Sequence, residues 1–88
     1  MDFEWDEAKR QVNLAKHGVD FELAIGFGFE TAVTTEDDRH DYRERRMASL
    51  GFIGNRLYCL TFTYRGNAIR IISLRKANDR EYRRYGQA

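Results

Sequence analysis

Basic and aromatic side chains are concentrated in the second half of the 88-residue chain, and their spacing suits an anionic ligand. Arg70 interrupts a run of β-branched residues, and Arg75 and Lys76 follow where that run ends. Guanidinium groups bind phosphate oxygens in pairs, and tyrosine rings offer surfaces on which bases stack. The set therefore predicts a surface for single-stranded RNA. Its members are Arg46, Arg65, Arg70, Arg75, Lys76, Arg80, Arg83 and Arg84, interleaved with Tyr64, Tyr82 and Tyr85.

The net charge of +1 conceals a division along the chain. Residues 1–42 hold 11 acidic and 4 basic side chains, whereas residues 43–88 hold 3 acidic and 11 basic ones. This asymmetry favours an anion-binding surface built from the second half. Mutual neutralisation of the two halves across the fold is the alternative interpretation.

Cleavage of RNA through its 2′-hydroxyl needs a base, an acid and cations that stabilise the crowded phosphate. A metal-assisted route would require several carboxylates, but the basic half contains only Glu44, Asp79 and Glu81. We therefore predict metal-free chemistry, with Glu81 or Tyr85 handling protons. The stabilising cations would be Arg70, Arg75 and Lys76. Glu81 also has a structural interpretation, because it stands three residues after Asn78 at the spacing of a helix capping box.

Three further candidates have simpler explanations. The acidic run at 36–41 includes a histidine and could ligate a metal, but its spacing is more typical of a solvated loop. His17 could be a general base, although its place before Gly18 is explained by helix-end electrostatics. Cys59 lies within an apolar run and is interpreted as a small core residue. We predict neither a metal site nor a cofactor.

The periodicity predicts an α+β domain with two N-terminal helices, a four-stranded antiparallel sheet and a C-terminal helix. Residues 1–5 are compatible with a short extended segment. A first helix is expected at 6–17 and a second after an Asp20 cap, ended by Gly26 and Gly28. Strands are expected at 30–35, 45–53, 56–64 and 68–74, the first at an edge and the last near the centre. The final helix should run from Asn78 to Tyr85, with Gly86 as its cap.

Length and composition predict one domain over residues 1–88, with a hydrophobic fraction of 42% that is sufficient for folding. A single cysteine excludes an internal disulfide and indicates a reducing compartment. No apolar run approaches the roughly 20 residues of a membrane helix. We therefore expect a soluble, cytoplasmic protein without membrane contact.

Several motifs in order along nearly the whole chain resemble the BrnT family of bacterial type II toxins. In the first half these are Phe3-Glu4-Trp5-Asp6-Glu7-Ala8-Lys9 and Asn13-Leu14-Ala15-Lys16-His17-Gly18-Val19-Asp20-Phe21-Glu22. In the second half they are Glu44, Arg46, Gly51, Arg65-Gly66, Arg70-Ile71-Ile72-Ser73, Arg75-Lys76-Ala77, Glu81 and Tyr85.

The resemblance implies a RelE-like fold and a ribonuclease that inhibits translation. It also implies a cognate BrnA-type antitoxin in a hetero-oligomer, which would contact operator DNA only through the antitoxin. Phe27, Phe29 and Phe52 are candidates for coverage by that partner. The catalytic candidates are Arg46, Arg70, Arg75, Lys76, Glu81 and Tyr85. The candidates for RNA binding are Tyr64, Arg65, Arg80 and Arg84.

A second hypothesis belongs to another functional class. The basic face could be a non-catalytic module that docks an antitoxin or nucleic acid within a complex that represses its own operon. The two hypotheses differ in whether the isolated protein cleaves RNA.

Overall fold

The computed structural model describes residues 2–39 and 43–87, which form a five-stranded sheet with two α-helices. The strands are β1 Asp2–Trp5, β2 Val33–Glu36, β3 Met47–Ile53, β4 Arg56–Arg65 and β5 Ala68–Lys76. The α-helices are α1 Glu7–His17 and α2 Asp79–Gln87, and two short 3₁₀ segments cover Phe21–Gly26 and Phe29–Thr31.

The sheet is mixed, in the order β1-β5-β4-β3-β2. Strand β1 pairs parallel to β5, from Asp2 opposite Ala68 to Trp5 opposite Ile71, and the other pairings are antiparallel. The predicted four-stranded antiparallel sheet is therefore wrong. The first residues have the alternation of a strand, but their partner lies 66 positions away and no turn signals such a pairing. The prediction that β2 is an edge strand agrees with this order.

The prediction of two N-terminal α-helices is also wrong, because only α1 is α-helical. Asp6 caps α1 by accepting a hydrogen bond from Lys9 N at 3.1 Å, and Gly18 ends it with a left-handed φ of 70°. Asp20 caps the next segment as expected, but that segment is a six-residue 3₁₀ helix ending at Gly26. Six residues allow few α-type hydrogen bonds, so the tighter 3₁₀ pattern prevails.

Alternation along the strands divides their side chains between two faces of the sheet. One face, which we call the core face, packs against the 3₁₀ segments. Its buried members are Tyr58, Leu60, Phe62, Ile69, Ile71 and Leu74, packed with Val19, Phe21, Ala24 and Phe27. Phe27 was a candidate for partner contact, but it belongs to this core and only 6% of its surface is exposed.

The opposite face, which we call the arginine face, is covered at one end by α2. There, Leu50, Leu57, Cys59 and Ala77 form a smaller core with Phe52, Tyr82 and Tyr85. The predicted capping box begins α2: Glu81 N donates to Asn78 Oδ1 at 2.9 Å, and Asn78 N donates back to Glu81 Oε1 at 2.9 Å. Gly86 lies inside α2 and is not its cap.

Helix α1 lies against the edge of β5 beyond the point where β1 ends. The buried Asn13 amide acts there as a substitute strand residue, donating to Leu74 O at 2.8 Å and accepting from Leu74 N at 3.2 Å. Asn13 Nδ2 also donates to Val19 O at 3.0 Å. One side chain thus joins α1, β5 and the chain after α1, so it fixes the helix beside the arginine face.

Candidate functional site

A polar cavity of about 300 Å³ opens on the arginine face, between the end of β2, strands β4 and β5, and α2. We call it the arginine pocket. Its lining residues are Thr35, Glu36, Asp37, Asp38, Arg39, Ala48, Cys59, Thr61, Ser73, Arg75, Glu81 and Arg84. Arg75, Glu81 and Arg84 are therefore three of the predicted site residues that the fold brings together.

Arg75 and Glu81 form a bidentate pair in the arginine pocket. Arg75 Nη1 donates to Glu81 Oε1 at 2.8 Å, and Arg75 Nη2 donates to Glu81 Oε2 at 2.9 Å. These hydrogen bonds lower the pKa of Glu81 despite its burial, and they raise the pKa of Arg75. Both groups are therefore charged, and Glu81 fixes the plane of the guanidinium.

A second bidentate pair lines the pocket at the segment after β2. Arg39 Nε donates to Asp37 Oδ1 at 2.8 Å, and Arg39 Nη2 donates to Asp37 Oδ2 at 3.0 Å. The side chain of Asp37 is 4% exposed, and its backbone N–H donates to Arg46 O at 2.7 Å. The sequence prediction of a solvated loop missed this pair. The described part of the loop reaches residue 39, and residues 40–42 of the predicted loop lie outside the described residues.

Hydroxyl and thiol groups form the floor of the arginine pocket. Thr61 and Ser73 face each other across β4 and β5, and Thr35 contributes from β2. Cys59 is buried as predicted, and burial raises the pKa of its thiol, which therefore stays protonated near neutral pH. The floor is neutral and able to form hydrogen bonds, while the charges lie on the walls.

Three other predicted arginines form ion pairs with carboxylates outside the pocket. Glu44 lies 3.6 Å from Arg46 Nε and 3.7 Å from Arg65 Nη2. Arg70 Nη1 donates to Glu4 Oε2 at 3.0 Å, across the β1–β5 pairing. Strand β1 thus supplies the partner that a half-buried Arg70 requires.

The remaining predicted residues do not line the arginine pocket. Tyr64 packs its ring against Phe62 on the core face, and alternation places Lys76 on that face as well. Tyr85 donates its hydroxyl to Thr31 O at 3.0 Å. Arg80 is exposed on α2.

His17 lies closer to the pocket than the sequence suggests. It lines a neighbouring cavity together with Ser73, which also lines the arginine pocket. Burial and the charges of Lys16 and Arg75 lower the pKa of His17. His17 also stands in the last turn of α1 before the Gly18 cap, as the helix-end interpretation expects. The sequence signal that could have identified His17 is its position directly before the Gly18 cap, where the chain leaves α1.

The described residues offer no cluster of three His, Cys, Asp or Glu side chains that could hold a metal ion. They also contain no helix long and apolar enough to cross a membrane.

The model of the BrnT family, described as ribonuclease toxins of type II toxin–antitoxin systems, matches residues 5–81. The chain belongs to the BrnT family. No curated protein matches the chain. As a BrnT toxin it has RNA as its target class and a protein antitoxin as its partner class. The matched residues include both walls of the arginine pocket, from Asp37 and Arg39 to Arg75 and Glu81.

Proposed function

We propose that the protein is an endoribonuclease toxin that binds single-stranded RNA in the arginine pocket and cleaves it without a metal ion. The observation that carries the proposal is the bidentate Arg75–Glu81 pair in a polar cavity, in a chain of a ribonuclease family. A guanidinium has five N–H donors, and Glu81 engages one from each terminal nitrogen. Arg75 therefore retains donors for phosphate oxygens while its orientation is fixed in advance.

Arg84 lines the same pocket and adds positive charge near a bound phosphate, whereas the charge of Arg39 is compensated by Asp37. Arg46, Arg65 and Arg70 lie on carboxylates farther along the molecule and are proposed to guide the RNA backbone. Exposed Arg80 and Lys76 contribute long-range attraction, and Tyr64 offers an exposed ring for stacking outside the pocket.

Proton transfer is assigned differently from the sequence-based hypothesis. Both oxygens of Glu81 accept hydrogen bonds from Arg75, and its pKa is lowered, so it serves as an orienting group and helix cap. The Tyr85 hydroxyl donates a hydrogen bond to the Thr31 carbonyl, so we assign Tyr85 to the positioning of α2 and not to proton transfer. His17 is a better candidate for the base, because its lowered pKa favours the neutral imidazole at pH 7 and it lines the cavity next to the arginine pocket.

In the proposed step, His17 accepts the proton of the RNA 2′-hydroxyl, and the 2′-oxygen attacks the adjacent phosphorus. The bond from phosphorus to the 5′-oxygen breaks, leaving a 2′,3′-cyclic phosphate. The departing oxygen takes a proton from water, and the resulting hydroxide takes the proton held by His17, which restores the neutral imidazole. Arg75 stabilises the negative charge that accumulates on the non-bridging oxygens. Cleavage of messenger RNA in the cytoplasm would inhibit translation. A BrnA-type antitoxin would neutralise the toxin in a hetero-oligomer and connect it to operator DNA.

Incubation of the purified protein with a single-stranded RNA in EDTA tests this proposal. We expect cleavage products with 2′,3′-cyclic ends, and a rate lowered by about 10²-fold in Arg75→Ala, the scale of losing one preorganised donor group. Arg83→Ala is the matched control, because Arg83 is exposed on the same helix as Glu81 and does not line the pocket.

Two results would contradict the proposal. Complete dependence on Mg²⁺ would remove the metal-free mechanism, and equal rates for Arg75→Ala and Arg83→Ala would remove the pocket. Binding of RNA without any cleavage would instead identify a non-catalytic module.

A further inference from the structure

The apolar stripe of α1 faces outward. Ala8, Val12 and Ala15 recur at helical spacing and would ordinarily face a core. All three are exposed, and Val12 has 64% of its surface accessible. Instead, the amide of Asn13 on α1 forms hydrogen bonds with the backbone of Leu74 on β5. These bonds direct the polar side of α1 toward the sheet.

The stripe borders a cavity of about 350 Å³ between α1 and β5. Its apolar wall consists of Ala8, Val12 and Ile72. Ile72 is the extra residue of a β-bulge, since Thr61 pairs with Ser73 while Phe62 pairs with Ile71. The bulge thus supplies an apolar side chain opposite the exposed stripe.

Positive charge surrounds this apolar groove. Lys9 and Lys16 line it, one near each end of the stripe, and both are exposed. A second copy of the same chain would bring like charges together, which disfavours self-association at this surface. An acidic amphipathic segment would complement both the stripe and the lysines.

We propose that this groove is the docking surface for the protein antitoxin, which lays an amphipathic segment with apolar anchors and flanking carboxylates along α1. The proposal rests on the proposed function only in treating the partner as an inhibitor. Helix-in-groove recognition uses apolar residues at this spacing, with opposite charges setting specificity. The family itself supplies a partner of the required class.

The position of the groove accounts for inhibition. Ser73 lines both the groove and the arginine pocket, so the two cavities are neighbours. His17 also lines the groove. A segment bound along α1 would cover His17 and obstruct the path of RNA toward Arg75. Neutralisation would then be steric and would need no change in the fold.

A second apolar cavity is less suited to this role. Its lining includes Phe3, Trp5 and Ile25, and it contains Asp2 but no lysine. Its rings belong partly to the core, where Phe29 stacks on Phe3 at 6.2 Å between centroids. It lies on the core face, away from the arginine pocket.

Co-expression of the toxin with the protein encoded by the adjacent reading frame tests the docking surface. Val12→Glu should lose at least tenfold in affinity for that protein and should arrest growth even in its presence. Lys16→Glu should weaken the complex in a salt-dependent manner. Ile25→Glu is the matched control, because Ile25 is 75% exposed and lines the second cavity. The partner protein should still neutralise this variant.

Thermal melts of each variant check folding, and pull-down reports the complex independently of toxicity. Undiminished binding of the partner to Val12→Glu would overturn the proposal. It would also be overturned if Ile25→Glu, and not Val12→Glu, arrested growth in the presence of the partner. Val12 and His17 line the same cavity, so slower RNA cleavage by Val12→Glu without the partner would reflect an effect on His17, and pull-down then decides the docking surface. If Arg75→Ala leaves cleavage unchanged while Val12→Glu loses the complex, the proposed function fails and the docking surface stands.

Discussion

Arg75 on β5 and Glu81 on α2 are joined by two parallel hydrogen bonds of 2.8 and 2.9 Å, while Glu81 also caps the helix on which it stands. The carboxylate thus connects helix initiation to the orientation of the guanidinium in the arginine pocket. Removal of the Glu81 carboxylate would therefore disturb both the helix cap and the guanidinium orientation.

This coupling predicts a pH-dependent contribution to stability. Arg75 lowers the pKa of Glu81 below its usual 4.5, so the pair stabilises the fold above that pH and less as the pH falls through the folded-state pKa. We expect Glu81→Gln to reduce the free energy of unfolding by about 2 kcal/mol at pH 7, the scale of hydrogen bonds to charged groups. Urea denaturation at pH 7 and pH 3 should show the difference shrinking in acid. An equal loss at both pH values would mean that the substitution acts through packing; Asp79→Asn, exposed on the same helix, is the control.

The pH dependence of cleavage tests His17. Its lowered pKa means that the imidazole reaches half-protonation only below its ordinary pKa of about 6.5. The cleavage rate should therefore be level near pH 8 and fall to half of that value only below about pH 6.5. Lys16→Gln should move the decline to higher pH, because Lys16 contributes to the lowered pKa. His17→Gln should abolish the decline and slow cleavage by about 10²-fold. A profile unchanged in His17→Gln would exclude this residue as the base.

Asn13 is expected to be the most sensitive residue of α1. Asn13→Ala removes the amide that bonds Leu74 and Val19, leaving buried backbone groups without partners. We expect the free energy of unfolding to fall by about 3 kcal/mol in denaturant titrations. Gln11→Ala should change it by less than about 0.5 kcal/mol, because Gln11 is exposed and bonds only Glu7 among the described residues. Similar losses in the two variants would contradict the bridging role of Asn13.

Two glycines should respond in opposite directions to substitution by alanine. A Cβ at Gly51 would lie 2.5 Å from Phe27 Cζ, so Gly51→Ala should destabilise the protein by about 1–3 kcal/mol. Gly86 lies within α2 with open space around it, so Gly86→Ala should stabilise the helix by about 0.5–1 kcal/mol. Melting temperatures of the two variants measure both effects. A stable Gly51→Ala protein would show that Phe27 can move aside.

The sequence predicted most local features correctly. The Asp20 and Asn78 caps and most of the strands depend on neighbouring residues, whose preferences act over a few positions. The errors concern longer separations. The parallel pairing of β1 with β5 joins residues 66 positions apart, and the Asn13 amide bonds the backbone of Leu74, 61 positions away.

The sequence by itself therefore determined the arginines, the carboxylates and the elements that carry them, because caps, turns and periodicity are properties of short segments. Only the tertiary structure decided which of those arginines share a pocket. Sheet register placed Arg75 opposite Cys59, on the same face as Thr61 and Ser73, and directed Lys76 to the other face. It also placed Arg70 within hydrogen-bonding distance of Glu4. The folded chain also brought Arg39 to the arginine pocket and His17 to the neighbouring cavity. The physical reason is that side chains from distant segments meet only after the strands pair, and the energies of burial and pairing that select one register involve the whole sheet.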